Sequence, residues 1–564
     1  MDAMPYVSSL YKLAAIALVG TTLAAFLSWI KRDRRLDPMP GPGGWPLIGI
    51  GIGLPKKSAE VLGEWAIEYG EVYKIKVGWY NWVVINSPEA MRDIFDKQSI
   101  STSSRSPMPL AHDVAVGGMR MNTLPYNKKW RAYRTIVHGL LSTSLTDQFN
   151  PSQLFETKQL LHDFIFKNQD GEQFYWHVRR YFFSILMTSC YGSRVDSWEH
   201  EDVRSAIHST QLLSKISKPG SFIVDEIPIL AKLPPWLQPG RRMAESLREP
   251  ILSAKMRLWR RLQDQMKAGR APMCFGRKLF EDDKRWRDQG LTDQDFAWIV
   301  GGIADAGSGT STVTFNSAIL YMGANPHVQD KAYEELMRVV GPHRTPTIQD
   351  LPDLPYINAC IKETIRLKPV PVWCIKRYAD ADVQYKDYII PKGTVLLGNT
   401  IFLGSDPAKY DDPQLFKPER YLDFPRSSFE YAAGDQTKRD HFSFGVGRRV
   451  CPGAKLAEIT LDLALANVLW ALAVRPADKG AAVLDAGPDA WDSTEFQAPK
   501  PFAVRFEPRR PDAADFVKKQ WETATQDGYV MNGRRVDVNG MSSFTCMLEM
   551  VDPGSYVDIG IIAL

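Results

Sequence analysis

Phe444-Gly445-Val446-Gly447-Arg448-Arg449-Val450-Cys451-Pro452-Gly453 runs directly into an apolar stretch that begins at Ala454. That stretch has the length and composition of a buried helix, so Cys451 stands just before a helix N-terminus. Free backbone N–H groups and the positive end of the helix dipole favour an ionised sulfur there. Glycines at 445, 447 and 453 let the backbone take positive φ and pass close to a flat ligand. Arg449, two residues from the sulfur, is placed to meet an anionic group on that ligand. A lone cysteine is more often a small core residue. A thiolate, a tight glycine loop and a counter-cation together describe a haem-thiolate site instead.

The same stretch satisfies F-x-x-G-x-R-x-C-x-G at each fixed position, through Phe444, Gly447, Arg449, Cys451 and Gly453. It therefore resembles the cytochrome P450 family, and further motifs in that family's order extend the resemblance over roughly residues 37–510. The resemblance implies a mainly α fold with small β-sheets (α+β), built as one large haem domain over 56–510. It implies haem b as cofactor, with Cys451 as the proximal ligand of the iron and Phe444, Arg449 and Gly453 lining it. A thiolate ligand pushes electron density to the iron and favours O–O cleavage.

Working outward, Glu363-Thr364-Ile365-Arg366 lies on a helix expected to start near Pro355 and to stop before Pro369. Positions i and i+3 share a helix face, so the two charges can meet. Such pairs are common on surfaces. With Phe416-Lys417-Pro418-Glu419-Arg420 following, the pair resembles the family's buried network, Arg420 being the third member. The implied role is structural, and loss of one partner of a buried pair costs about 3–5 kcal/mol.

A long helix is expected over 293–322, with Thr292 and Asp295 as its capping signature. Inside it lies Gly301-Gly302-Ile303-Ala304-Asp305-Ala306-Gly307-Ser308-Gly309-Thr310. Each mid-helix glycine is unfavourable by about 0.8–1 kcal/mol relative to Ala, so these mark a bend or a close approach. The segment resembles the family's oxygen-activation motif, which implies that Thr310 is catalytic and helps deliver protons. The acidic residue that usually precedes this threonine is Gly309 here. Asp305 is a full turn earlier and points elsewhere, so protons must come through water or another group.

In Trp130-Arg131-Ala132-Tyr133-Arg134, Trp130 and Arg134 share a helix face. The resemblance implies that they grip one haem propionate and that Lys376 meets the other. By analogy the substrate pocket draws on Met119, Met121, Ala306, Val370, Val372, Trp373 and Phe496. Each of these apolar residues fits a pocket or plain core, and the set suits a hydrophobic substrate.

Composition sets the outer bounds. The chain has 564 residues, 44% hydrophobic and 24% charged, with a net charge of +4. This is ordinary globular composition, too weakly basic to point to nucleic acid. Six cysteines with no C-x-x-C exclude a disulfide framework and a structural zinc module. Residues 13–30 are uncharged and mostly apolar, about 27 Å of helix. Lys31, Arg32, Arg34 and Arg35 follow, which predicts an N-terminal anchor over 1–36 with a cytosolic body behind it. A cleaved signal peptide is the alternative, and the long run and basic flank argue against it. Four prolines between 38 and 46 make a stiff hinge over 37–55. The Pro-rich apolar segment 217–240 is either a buried loop or a surface that dips into a membrane. Residues 512–525 can form one amphipathic helix in a tail, 511–564, of no assigned role.

No flavin- or nicotinamide-binding segment fits outside the haem domain. The expected electron source is therefore an external NADPH-dependent flavoprotein, NADPH-cytochrome P450 reductase, with cytochrome b5 as a further donor. Lys128, Lys129, Arg131, Arg448 and Lys455 are candidates for its basic docking face, or simply solvated charge. The whole reads as a monooxygenase of the endoplasmic reticulum membrane acting on a hydrophobic fungal secondary metabolite. Two alternatives remain: coupling, desaturation, rearrangement or peroxide-driven chemistry at the same site, and a non-catalytic haem-binding membrane protein.

Overall fold

Alternating apolar and Lys residues make β1 (Val72–Val77), which turns at Gly78 (φ 57°) into the apolar β2 (Tyr80–Ile85). The computed structural model that shows this describes residues 33–45, 48–55, 57–492, 496–531 and 534–536. The expected anchor at 13–30 lies outside the described residues. Among the described residues no helix is long and apolar enough to cross a membrane.

Strands β1 and β2 are antiparallel, and β2 then pairs in parallel with a strand more than 300 residues later. A parallel pair needs a crossover connection, and here the crossover is most of the helical body. In chain order the body comprises α1 (Lys128–Leu140), α2 (Asn150–Phe166), α3 (Phe174–Tyr191), α4 (Glu201–Ser217), α5 (Arg241–Lys267), α6 (Asp293–Ala324) and α7 (Pro355–Leu367). Then follow β3 (Arg377–Tyr378), β4 (Val383–Tyr385), β5 (Tyr388–Ile390) and β6 (Val395–Gly398). The main sheet has the order β1-β2-β6-β3. The hairpin expected at 385–388 is β4–β5, closed by the pair Tyr385 and Tyr388 with Lys386 at φ 49°.

Helix α6 runs through the centre. Its cap is the expected box: the Asp295 N–H donates to Thr292 Oγ1, and Asp295 Oδ2 accepts from the Thr292 N–H at 2.8 Å. Most of its length is buried on several sides, which suits a helix apolar nearly all round. Two of its glycines serve close approach. A Cβ at Gly307 would stand 2.8 Å from Leu186 Cδ1, and one at Gly301 3.2 Å from Tyr191 Oη, both on α3.

Helix α8 (Ala454–Ala471) leaves the cysteine loop and is buried almost throughout; Trp470 is fully enclosed and its Nε1 donates to Gly341 O at 2.8 Å. It shares one apolar cluster with α2, α3, α6 and α7. The antiparallel pair β7 (Leu472–Pro476) and β8 (Val504–Pro508) follows. The amphipathic helix expected near 512–525 is α9 (Ala513–Asp527). It packs on α2, with Trp521 5.4 Å from Phe155 between ring centres. The fold is mainly helical with small sheets.

Candidate active site

The cysteine loop is held by its own backbone. The Cys451 N–H donates to Phe444 O at 2.8 Å and the Gly445 N–H to Phe442 O at 2.8 Å. Gly445 and Gly447 have φ of 72° and 57°, and a Cβ at Gly447 would come within 2.5 Å of Phe95 O. Only glycine fits there. Gly453 caps α8, so the sulfur does stand at a helix start. Burial pushes the Cys451 thiol up, while the Gly453 N–H and the charge of Arg134 pull it down. On balance the buried site disfavours ionisation of the bare thiol.

Four guanidinium groups, Arg105, Arg134, Arg377 and Arg449, gather beside this loop. Burial lowers the pKa of each, to about 10 for Arg377 and about 9 for Arg449, where Arg377 and Arg134 add repulsion. Among the described residues none of the four pairs with a carboxylate. Among the described residues Trp130 Nε1 and Arg377 Nη1 are buried without an acceptor, and the Arg134 guanidinium has no hydrogen-bond partner. Buried charge without a partner costs several kcal/mol per ion. This cluster calls for an anion with several acceptor oxygens, and the two propionates of haem b meet that need. The residues fit the cofactor.

Arg449 itself spends three N–H groups on backbone: Nε on Ser103 O (2.7 Å), Nη1 on Met121 O (3.3 Å) and Nη2 on Leu124 O (2.6 Å). Lys376 is placed differently from its expected role. Its Nζ sits 5.3 Å from the centre of the Trp82 ring, and the cluster takes Arg377 and Arg105 instead. Arg377 Nη2 donates to Val446 O at 2.6 Å, inside the cysteine loop. Arg105 holds Asn122 O and the carbonyls of Ile375 and Lys376. Arg105 belongs to no motif, whereas Arg377 directly follows the expected Lys376.

On α6, Ala306 is exposed although it lies mid-helix, and Thr310, one turn on, is half-buried. A Cβ at Gly302 or Gly309 would meet nothing within 4 Å. This face of α6 borders open space. Thr310 Oγ1 donates to Ala306 O at 2.7 Å, which leaves its oxygen able to accept. Asp305 is ion-paired with the buried Lys255 of α5, so it offers Thr310 no carboxylate.

The sequence model described as Cytochrome P450 matches residues 39–485. The chain belongs to the cytochrome P450 family. It is 46% identical over 535 residues to the cytochrome P450 monooxygenase pgmC of Aspergillus terreus, covering 94% of this chain and 98% of that protein. Identity to the cytochrome P450 monooxygenase verL of Clonostachys rogersoniana is 33%, over 89% of this chain and 93% of the relative. For virE of Hypocrea virens it is 32%, over 89% and 91%. This P450 is accordingly a monooxygenase, and its family is haem-based.

The brace of this P450 is complete. Arg366 Nε and Nη2 donate to Glu363 at 2.7 and 2.8 Å, with both side chains fully buried. Arg420 Nε stands 3.4 Å from Glu363 Oε1, and the Lys417 N–H donates to the same oxygen at 2.9 Å. Burial pulls the Arg366 pKa down and Glu363 more than offsets it. Arg366 Nη1 also holds the carbonyls of Gly404 and Pro413, which ties the segment ahead of the cysteine loop to α7.

The expected pocket residues divide. Ala306 is exposed, and Met119, Met121, Val370 and Phe496 are half-buried. Val372 has no accessible surface and Trp373 only 6%. Both lie in the apolar cluster of Trp82, Val84 and Val395, so the structure makes them packing residues of the main sheet. The basic face divides too. Lys128, Arg131 and Arg448 are exposed, and Lys455 Nζ donates to Thr143 Oγ1 at 3.1 Å. Lys129 is committed to the buried Asp295 at 2.7 Å and is not free surface charge.

Proposed function

We propose that this P450 monooxygenase inserts oxygen into a hydrophobic small molecule, a fungal secondary metabolite, using dioxygen and electrons from an external NADPH-dependent flavoprotein reductase. The observation that carries this reading is the uncompensated cation cluster with the orphaned Trp130 Nε1, set against the Cys451 loop. Trp130, Arg134, Arg377 and Arg449 would hold the propionate edge of haem b, and Cys451 its iron. When bound, the haem supplies dioxygen activation, with the thiolate favouring O–O cleavage. Thr310 would pass protons from water, since Gly309 brings no carboxylate and Asp305 is spent on Lys255. Ala306, Met119 and Met121 would exclude bulk water around an apolar substrate.

The setting we propose is the endoplasmic reticulum membrane. Ile229, Leu233, Trp236 and Leu237, between α4 and α5, are exposed large apolar side chains, as is Trp45. Such a patch supports a membrane-facing surface. Lys128, Arg131 and Arg448 support a docking face for an acidic reductase.

The test is an assay under labelled dioxygen: full-length protein in membranes, reductase, NADPH and a fungal metabolite extract, read by mass spectrometry. A new product carrying one labelled oxygen is expected. A second reading, coupling or desaturation at the same site, is favoured by Gly309, and a new product without label would replace the first with it.

A further inference from the structure

One charged side chain is used by neither cofactor binding nor the brace. Arg120 stands between Met119 and Met121. Its Nη1 donates to Ser217 Oγ at 2.6 Å, at the last residue of α4. Ser217 in turn donates to Leu213 O at 2.6 Å. An arginine has five N–H donors, and among the described residues the others of Arg120 have no protein acceptor. Burial lowers its pKa to about 10, with Asp305 the one charge that opposes the shift.

The charges around it do not balance. Asp305 is already paired with Lys255. His112, also close by, is held neutral, burial taking its pKa down to about 4, and its Nδ1 pairs with Thr123 Oγ1 at 2.8 Å. Ser217 is neutral. Arg120 is half-buried, and among the described residues its positive charge is left without an anion, whereas charge withdrawn from water is normally paired. Its side-chain hydrogen bond goes to Ser217 on α4, not to the carbonyls that Arg105, Arg377 and Arg449 hold beside the cysteine loop. Asp305 is the residue just before the exposed Ala306 of α6.

We propose that Arg120 receives an anionic oxygen group of the substrate, a carboxylate or an ionised phenol, and so selects acidic apolar molecules. A planar fork of donors suits either group, and Met119 and Met121 supply the apolar flank. Arg120 is then a specificity residue: it orients the molecule by its anionic end. This rests on the proposed monooxygenase reading and adds the substrate's chemical class to it.

Two matched probe pairs test it on the full-length holoenzyme by calorimetry. 2-Naphthoate against methyl 2-naphthoate reports a carboxylate. The anion of 2,4-dinitro-1-naphthol against its methyl ether reports an ionised phenol. At least a tenfold preference for the anion is expected in one pair, and which pair shows it names the group. Arg120→Gln should reduce that ratio to below twofold while the neutral member binds within twofold of its wild-type affinity. Ser217→Ala, which keeps the guanidinium and removes its clip to α4, should retain the preference. Equal or undetectable binding within both pairs overturns the proposal. So does loss of the preference in Ser217→Ala, which would make Arg120 a latch between segments only. The reduced carbonyl spectrum of each protein is recorded alongside. A wild type without the thiolate band would sink the haem-thiolate reading itself, whereas a normal band with no anion preference would sink only this inference.

Discussion

The guanidinium of Arg449 lies 4.2 Å from the centre of the Trp130 ring. Helix α1 and the cysteine loop are thus clamped face to face by a cation–π contact, worth about 2 kcal/mol when desolvated. Among the described residues the indole Nε1 at the edge of that contact has no acceptor. Trp130→Phe keeps the ring under Arg449 and deletes only the N–H. A lost hydrogen bond to a charged group is worth about 1.5–3 kcal/mol, and that loss should appear as faster transfer of haem to an apoprotein acceptor. An unchanged transfer rate would assign the indole to packing alone.

Glu363→Gln removes the one anion that both Arg366 and Arg420 share. Breaking a buried pair by one partner costs about 3–5 kcal/mol. Urea unfolding should shift by that amount, with haem content falling in parallel. Arg420, itself partly exposed, should cost less when replaced by Met.

Gly309→Asp is sterically free, since its Cβ meets nothing within 4 Å. With protons passing through water to Thr310, coupled product per NADPH should change less than about twofold. Thr310→Ala should waste most of the NADPH. A large gain in coupling from Gly309→Asp would show that a carboxylate, not water, limits proton supply.

Neutralising Lys128 and Arg131 together should slow reduction by the reductase several-fold at low salt, with the difference vanishing at high ionic strength. Lys129→Ala should behave otherwise. It strips Asp295 of its cation, and the expected effect is a stability loss on the order of 1–3 kcal/mol with little salt dependence in reduction.

Asp225 accepts the N–H groups of Leu110 and Ala111 at 2.8 and 3.0 Å, and burial raises its pKa to about 6. The fold therefore holds a proton that the unfolded chain has released by about pH 5. The contribution is present at low pH and is lost as pH rises through 6. Relative to Asp225→Asn, the wild type should lose roughly 1 kcal/mol between pH 5 and pH 7. A difference that is flat with pH, measured by urea unfolding at several values, would refute this.

What could be read from the sequence was local. The loop around Cys451 is one continuous string, Glu363 and Arg366 are one turn apart, and Thr292 and Asp295 cap their own helix. The hairpin at Tyr385 and Tyr388 and the start of α8 after Gly453 are likewise short-range. The residues that escaped notice depend on distant partners. Arg105 and Arg377 join the cation cluster across 272 positions of chain. Lys129 was read as surface charge because its partner, Asp295, is on another helix. Val372 and Trp373 are apolar, and hydrophobicity alone does not say whether a side chain faces a cavity or the back of a sheet. Lys376 and Arg377 are adjacent cations, and only the folded chain shows that Arg377 is the one turned inward.

Asp295 has a consequence beyond its cap. Its carboxylate accepts from Tyr133 at 2.6 Å, pairs with Lys129 at 2.7 Å, and closes the first turn of α6 through Thr292. Helix α1, which carries Trp130 and Arg134, and helix α6, which carries Thr310, are therefore indexed from a single point. Sliding either helix by one turn would break the same two contacts, those of Tyr133 and Lys129 with Asp295. The grip on the cofactor's edge and the hydroxyl for proton delivery share one datum, and selection on either one constrains the register of both.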